Sequence, residues 1–180
     1  MTPPSEWWFC PTPASDDLIP VVSNEVSNDS VDGERMDAVQ FYPYSLIDLQ
    51  IPAMIGPNRR AAFQDAGLLS GLQDRGVNIA LELGSVKEAT RDMIAEARDA
   101  VAAARELDGN VQTISMDEPL TFLRLQPEWG WTTEAAIAKI RTFVTALRED
   151  GHTVGWIEAY PTICVREWIT AIDAVPGVSY

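Results

Sequence analysis

Carboxylate side chains recur at the ends of short apolar segments along this chain. Glu82, the pair Asp117-Glu118 and Glu158 each lie at or immediately after such a segment. Neighbouring carboxyl groups can divide the roles of general acid and general base, and carboxylate oxygens can also bind a divalent cation. The sequence therefore predicts a cluster of acidic residues that is suited to proton transfer or to metal binding.

These acidic residues converge only if the apolar segments are parallel strands. In a (β/α)8 barrel the carboxyl ends of the parallel strands lie at one face, and active sites form there. Side chains alternate between the two faces of a strand, so Asp117 and Glu118 would not both face the cavity if the strand continued through them. We therefore expect one of the two to face the site and the other to contact a neighbouring strand or loop.

The elements that would position these residues follow from the hydrophobic pattern, in which short β-rich segments alternate with longer amphipathic ones. The predicted strands are Trp7–Pro11, Ala38–Tyr42, Val77–Leu83, Val111–Met116, Thr153–Ile157 and Val178–Tyr180. The predicted helices are Asn58–Asp74, Lys87–Leu107, the segment from Thr132-Thr133 to Gly151, and Val165–Ala174. This alternation is typical of parallel strands joined by right-handed helical connections.

The α/β pattern favours a barrel over a nucleotide-binding sheet. The chain contains neither a GxGxxG motif after the first strand nor a GxxxxGK[ST] motif. We therefore predict a partial (β/α)8 TIM barrel that comprises the first five to six βα units. Because eight units take about 250 residues, we expect residues 1–180 to form a single incomplete barrel domain that is truncated at its carboxyl terminus.

The composition argues against several classes of partner. The 180 residues include 27 acidic and 13 basic side chains, and the net charge is −14, whereas nucleic acids and anionic membranes are bound by clustered Lys and Arg. Two cysteines, Cys10 and Cys164, and a single histidine, His152, are too few to build a Cys/His zinc site. We therefore predict no cofactor, no bound metal, no nucleic-acid partner and no membrane association.

The amino-terminal segment Met1–Trp8 lacks the basic and apolar regions of a secretory signal. The default expectation from this segment is a cytoplasmic location.

One motif has a specific resemblance. The segment Ile114–Pro119, Ile-Ser-Met-Asp-Glu-Pro, resembles the Asn-Glu-Pro signature at the end of the fourth strand in the large clan of (β/α)8 retaining glycoside hydrolases. The resemblance implies that Glu118 is the general acid/base, and Asp117 takes the position of the Asn that helps to recognise the sugar. In that clan the nucleophile lies at the end of the seventh strand, beyond the strands that we identify here.

The wider pattern is similar to that of uncharacterised glycosidase-like barrel proteins. The matching segments are Trp-Trp-Phe-Cys-Pro-Thr-Pro, Ala-Val-Gln-Phe-Tyr, Ala-Leu-Glu-Leu-Gly-Ser-Val-Lys-Glu, Met-Asp-Glu-Pro-Leu and Trp-Ile-Glu-Ala-Tyr-Pro. The implied partner is a carbohydrate, either a small molecule or a polysaccharide.

The residues of the predicted carbohydrate site have two kinds of role. Glu118 and Glu158 are the predicted catalytic residues of a glycoside hydrolase, in which two carboxyl groups flank the bond that is broken. The predicted substrate-binding residues are Glu82, Asp117, Tyr160, Trp129 and Trp131. The aromatic side chains in this set, and Trp156 beside them, could stack on the apolar face of a sugar ring.

Two other interpretations remain open from the sequence. Acidic residues that end the third, fourth and fifth strands also resemble the Mg²⁺ site of the enolase superfamily, with Glu82, Asp117 or Glu118, and Glu158 as ligands. Alternatively, the chain is a catalytically inactive fragment that binds carbohydrate, since a fold alone does not determine an activity.

Overall fold

The computed structural model describes residues 8–9, 37–41, 60–83, 92–125, 130, 132–158 and 162–179. The chain divides into two compact units, the first formed by Met1–Leu81 and Asp99–Gln112 and the second by Glu82–Arg98 and Thr113–Tyr180. Each unit contains parallel strands and helices. The predicted α/β class is therefore confirmed.

The strands lie close to their predicted positions. They are β1 (Trp8–Phe9), β2 (Ala38–Phe41), β3 (Asn78–Leu83), β4 (Val111–Asp117), β5 (Thr153–Ile157) and β6 (Val178–Ser179). In the first unit β2 pairs in parallel with both β1 and β3. In the second unit β5 pairs in parallel with both β4 and β6. Parallel pairing places the carboxyl ends of β4 and β5 side by side, as an active site at strand ends requires.

The helices differ from the prediction at two places. They are α1 (Arg60–Asp65), α2 (Leu68–Asp74), α3 (Met93–Glu106), α4 (Pro119–Leu125), α5 (Thr133–Glu149) and α6 (Val165–Asp173). The prediction of one helix over Asn58–Asp74 is wrong, because Gly67 has a left-handed φ of 58° and separates α1 from α2. Helix α4 was not predicted. In the described part of the chain no helix is long and apolar enough to cross a membrane.

The first unit packs around β2. All four residues of this strand are buried, which indicates that both of its faces are covered, as expected for a parallel strand. Phe41 at its end packs edge-to-face on Phe63 of α1, with 5.8 Å between the ring centroids. Helix α2 contributes Leu68, Leu69 and Leu72, which are fully buried. The apolar residues that recur at helical spacing in the sequence therefore form part of the core of this unit.

Two glutamine side chains bond to backbone groups of this unit. The Gln73 amide donates to the carbonyl oxygen of Asn110 at 2.9 Å and accepts from the Asn110 N–H at 3.0 Å. Gln112 accepts from the N–H of Ile79 in β3 at 2.7 Å. Backbone groups need a partner when they leave regular pairing, and these side chains supply it.

The second unit is supported by α5. Thr132 caps the helix by accepting from the Ala135 N–H at 3.2 Å, and residues at three- and four-residue spacings form its buried face, namely Ala136, Ile140, Phe143, Val144 and Leu147. The helix ends at Glu149, and Gly151, just beyond it, has a φ of 96° that suits glycine. A bidentate ion pair between Arg98 of α3 and Asp150 fixes this end, with N···O distances of 2.7 and 3.2 Å.

Gly109→Ala is expected to lower the free energy of unfolding by about 1–3 kcal/mol, the usual cost of overpacking. A β-carbon at this position would lie 2.5 Å from Leu69 Cδ2 and 2.9 Å from Leu69 Cβ. Urea denaturation measures the loss, with Gly155→Ala as the comparison. At Gly155 the nearest atom is the Ser115 hydroxyl oxygen at 3.2 Å, a wider approach than the 2.5 Å at Gly109. Equal losses in the two variants would contradict the close approach at Gly109.

Asp150→Asn is expected to lower the stability at neutral pH and to lose this effect in acid. The hydrogen bond from Arg98 and the charges of Arg98 and His152 hold the pKa of Asp150 below its usual value, against the opposing effect of partial desolvation. Such a carboxyl stabilises the fold above its unfolded-state pKa of about 3.9. This stabilisation is lost as the pH falls through the lower, folded-state pKa.

Urea denaturation of the Asp150→Asn protein across the acid range measures this pH dependence. Arg98→Gln should produce the same loss at neutral pH, and the double variant should add nothing to either single variant, because both substitutions remove one ion pair. Additive losses would contradict the pairing.

Candidate active site at the end of strand β4

The carboxyl end of β4 brings Asp117 and Glu118 to the side of β5. The two strands pair from Thr113 opposite Thr153 to Asp117 opposite Ile157. Asp117 is the last residue of the strand, and Glu118 follows the strand with its N–H bonded to Ile157 of β5. The strand therefore does not continue through both carboxylates, and the alternation expected from the sequence stops at Asp117.

Glu118 forms a tight turn between strand and helix. Its φ of 49° is in the left-handed region, which a residue other than glycine adopts at a cost of about 1–3 kcal/mol. Its backbone N–H donates to the carbonyl oxygen of Ile157 at 2.9 Å. Pro119 then begins α4, at the first helical position, where the missing N–H removes no hydrogen bond. The turn thus places the side chain of Glu118 at the junction of β4 and α4.

Glu158, the residue that follows β5, connects this strand to α4. Its Oε1 accepts from the Leu120 N–H at 2.7 Å and from the Trp156 indole N–H at 2.8 Å. Its Oε2 accepts from the Thr121 N–H at 3.0 Å and from the Thr121 hydroxyl at 2.8 Å. A carboxylate has about four lone-pair positions, so the acceptor capacity of Glu158 is filled.

The bonds to Glu158 satisfy donors that would otherwise lack a partner. Leu120 and Thr121 are the second and third residues of α4, and the first N–H groups of a helix have no acceptor within the helix. Trp156 and Thr121 are each 2% exposed, so water cannot replace Glu158 as the acceptor for their side chains. The negative charge also lies at the positive end of the helix. Glu158 therefore stabilises the start of α4.

The other predicted site residues fall into two groups. Glu82 lies within β3 and is half-buried, and it is the first residue of the second unit. Tyr160, Trp129 and Trp131 lie outside the described residues. The ring of Trp156 is buried in the core, so it does not offer the stacking face that the sequence suggested.

The sequence analysis missed Thr121 and the helix that carries it. Two signals were present: a proline directly after the acidic pair, which favours the first helical position, and a following segment rich in good helix formers, Leu-Thr-Phe-Leu-Arg-Leu. The segment was too short to show helical periodicity, since α4 has seven residues.

The magnesium interpretation requires at least three ligands in one place. Within the described ranges no three His, Cys, Asp or Glu side chains are grouped so that they could hold a metal ion. Glu158 in particular directs its carboxylate to backbone and side-chain donors. These residues therefore give no support to an enolase-type ligand set.

Comparison with known proteins found no protein-family model and no curated protein that matches this chain.

Thr121→Val is expected to lower the free energy of unfolding by about 1–3 kcal/mol, because the substitution removes a donor to an ionised carboxylate at almost constant shape. Thermal or urea denaturation measures the change. The matched control is Thr142→Val on α5, whose exposed hydroxyl donates to the Ala138 carbonyl oxygen at 3.2 Å. The control should stay within about 0.5 kcal/mol of the parent, and a similar effect of both substitutions would argue against the importance of the Glu158 bond.

Proposed function

We propose that this protein is a glycoside-hydrolase-like partial (β/α)8 barrel that acts on carbohydrate, with Glu118 as its general acid/base. The observation that carries the proposal is the turn at Glu118, which holds a carboxylate in a costly left-handed conformation at the carboxyl end of a parallel strand. Strained residues of this kind cluster at functional sites.

The arrangement of the strands supports a barrel. Within each unit the paired strands are consecutive in the sequence and parallel. Among the described residues, helices lie in the connections from β2 to β3, from β4 to β5 and from β5 to β6. In barrels of this kind the residues at carboxyl strand ends carry the chemistry, whereas those at the opposite face serve stability. Asp117 and Glu118 are at the carboxyl end of β4, the end that carries the chemistry in such barrels.

The chemistry assigned to Glu118 is proton transfer. As a carboxylic acid it would donate a proton to the glycosidic oxygen while the bond from that oxygen to the anomeric carbon breaks. As a carboxylate it would then accept a proton from the water molecule whose oxygen bonds to the anomeric carbon, which restores the acid. Asp117, directly before it, would accept hydrogen bonds from sugar hydroxyls. Trp129, Trp131 and Tyr160 follow β4 and β5 in the sequence and would supply stacking surfaces.

The charge of the protein favours a neutral substrate. A net charge of −14 repels anionic ligands over distances comparable with the Debye length. Uronic acids and sulfated polysaccharides would therefore associate slowly, whereas neutral glycosides have no such penalty. The proposed substrate class is a neutral glycoside or polysaccharide.

Glu118→Gln is expected to lower kcat/KM for neutral aryl glycosides by about 10²- to 10⁴-fold, the usual contribution of general acid–base catalysis. The loss should be larger for a poor leaving group than for a good one, because a good leaving group needs less protonation. Steady-state kinetics on a panel of aryl glycosides measures both effects. Glu149→Gln is the matched control, since this exposed side chain lies at the far end of α5.

Two results would contradict the proposed function. The first is retention of full activity by Glu118→Gln on every substrate that the parent protein hydrolyses. The second is a parent protein that neither binds nor hydrolyses any neutral glycoside of the panel. If a chelator abolished activity and Mg²⁺ restored it, the reaction would belong to the metal-dependent class instead.

A further inference from the structure

We infer that Glu158 is a positioning residue for Glu118: its carboxylate holds the start of α4 and thereby the turn that carries Glu118. The sequence analysis predicted a catalytic role for Glu158, and the geometry favours a supporting one. The kinetic consequence of this inference rests on the proposed function of Glu118, whereas its structural part does not depend on any reaction.

The first observation is the filled acceptor capacity of Glu158. Each of its two carboxylate oxygens accepts two hydrogen bonds, and all four distances lie between 2.7 and 3.0 Å. A nucleophile or a general base must present a lone pair to a substrate atom. Glu158 could do so only by releasing a donor, and the Trp156 and Thr121 side chains are too deeply buried to bond to water instead. The carboxylate is therefore suited to support and not to chemistry.

The second observation is that the last residue of β5 and the residue after it accept hydrogen bonds from the backbone on both sides of the turn. The N–H of Glu118 donates to the carbonyl oxygen of Ile157, and the N–H groups of Leu120 and Thr121 donate to the adjacent Glu158. Pro119 has no N–H. Every backbone donor from residue 118 to residue 121 is thus bonded to two consecutive residues at the end of one strand.

The third observation is the conformation of Glu118. A φ of 49° is unfavourable for glutamate and persists only where the surroundings determine it. Ile157 fixes the backbone before the strained residue, and Glu158 fixes it after. Loss of the second set of bonds would allow the turn to relax, and the Glu118 carboxylate would move with it.

The test replaces Glu158 with glutamine in the full chain. A glutamine amide has one acceptor oxygen and one NH₂ group, so two of the four donors would face another donor. Amide hydrogen exchange at Leu120 and Thr121 should become at least about tenfold faster, which corresponds to the loss of one hydrogen bond to a charged group. The ¹³Cδ resonance of the Glu118 carboxyl group should also shift. Glu149→Gln should change neither measurement.

The kinetic part of the test separates positioning from catalysis. Glu158→Gln should lower kcat by about 10²-fold, as expected for a misplaced catalytic group, with little change in KM. The ionisation of the catalytic acid should remain in the pH profile of kcat/KM, because Glu118 is still present. Glu118→Gln should remove that ionisation. If Glu158→Gln removes it as well, Glu158 transfers the proton itself and the inference is overturned.

A second variant keeps the test informative if Glu158→Gln does not fold. Thr121→Val leaves the charge of Glu158 in place and removes one of its four bonds, so exchange at Leu120 and Thr121 should change in the same direction by a smaller factor. Unchanged exchange and an unchanged Glu118 resonance in the folded variants would overturn the inference. If the parent hydrolyses no glycoside, the proposed function fails, and these two measurements still decide whether Glu158 positions the carboxylate of Glu118.

Discussion

The four hydrogen bonds to the Glu158 carboxylate are the interaction on which the candidate site depends. An ionised group that is partly removed from water is tolerated only when its lone pairs are occupied. At Glu158 they are occupied by donors that the fold itself leaves without partners, namely the first N–H groups of α4 and the buried indole of Trp156. The charge and the donors therefore stabilise each other, and removal of either leaves a polar group unsatisfied.

The strength of this interaction explains how the turn at Glu118 can persist. A left-handed φ at a residue other than glycine costs about 1–3 kcal/mol, which is close to the contribution of a single hydrogen bond to a charged group, about 1.5–3 kcal/mol. Glu158 makes four such bonds. Three of these bonds come from α4 and the fourth from Trp156 of the preceding strand, so the three from α4 are the ones that can offset the cost of the turn.

Local patterns predicted the strands well because alternation and β-propensity are properties of a few adjacent residues. Strand β5 was predicted with its observed bounds, Thr153–Ile157. The break at Gly67 was missed because the apolar spacing continues through it, from Phe63 to Leu69 and Leu72. The left-handed φ of Gly67, which the apolar spacing does not reveal, divides this segment into two helices.

The candidate site was predicted less completely, for a physical reason. The acidic strand ends were recognised, but their roles depend on contacts between residues far apart in the sequence. Helix α4 begins where Glu158 supplies an acceptor to Leu120, 38 residues earlier in the chain. No local propensity records such a bond, and a seven-residue helix is too short to be stable without it.

This long-range cap also accounts for the difference between two glutamates that look alike in the sequence. Glu118 occupies the N-cap position of α4, where a side chain normally accepts from the second or third N–H of its own helix and the backbone is extended. In this fold Glu158 accepts from both of those N–H groups. Because the next strand performs the capping, the residue at the N-cap position can adopt a left-handed φ and need not cap the helix. The second and third N–H groups of α4 therefore have their acceptor at the end of the next strand and not at the N-cap residue.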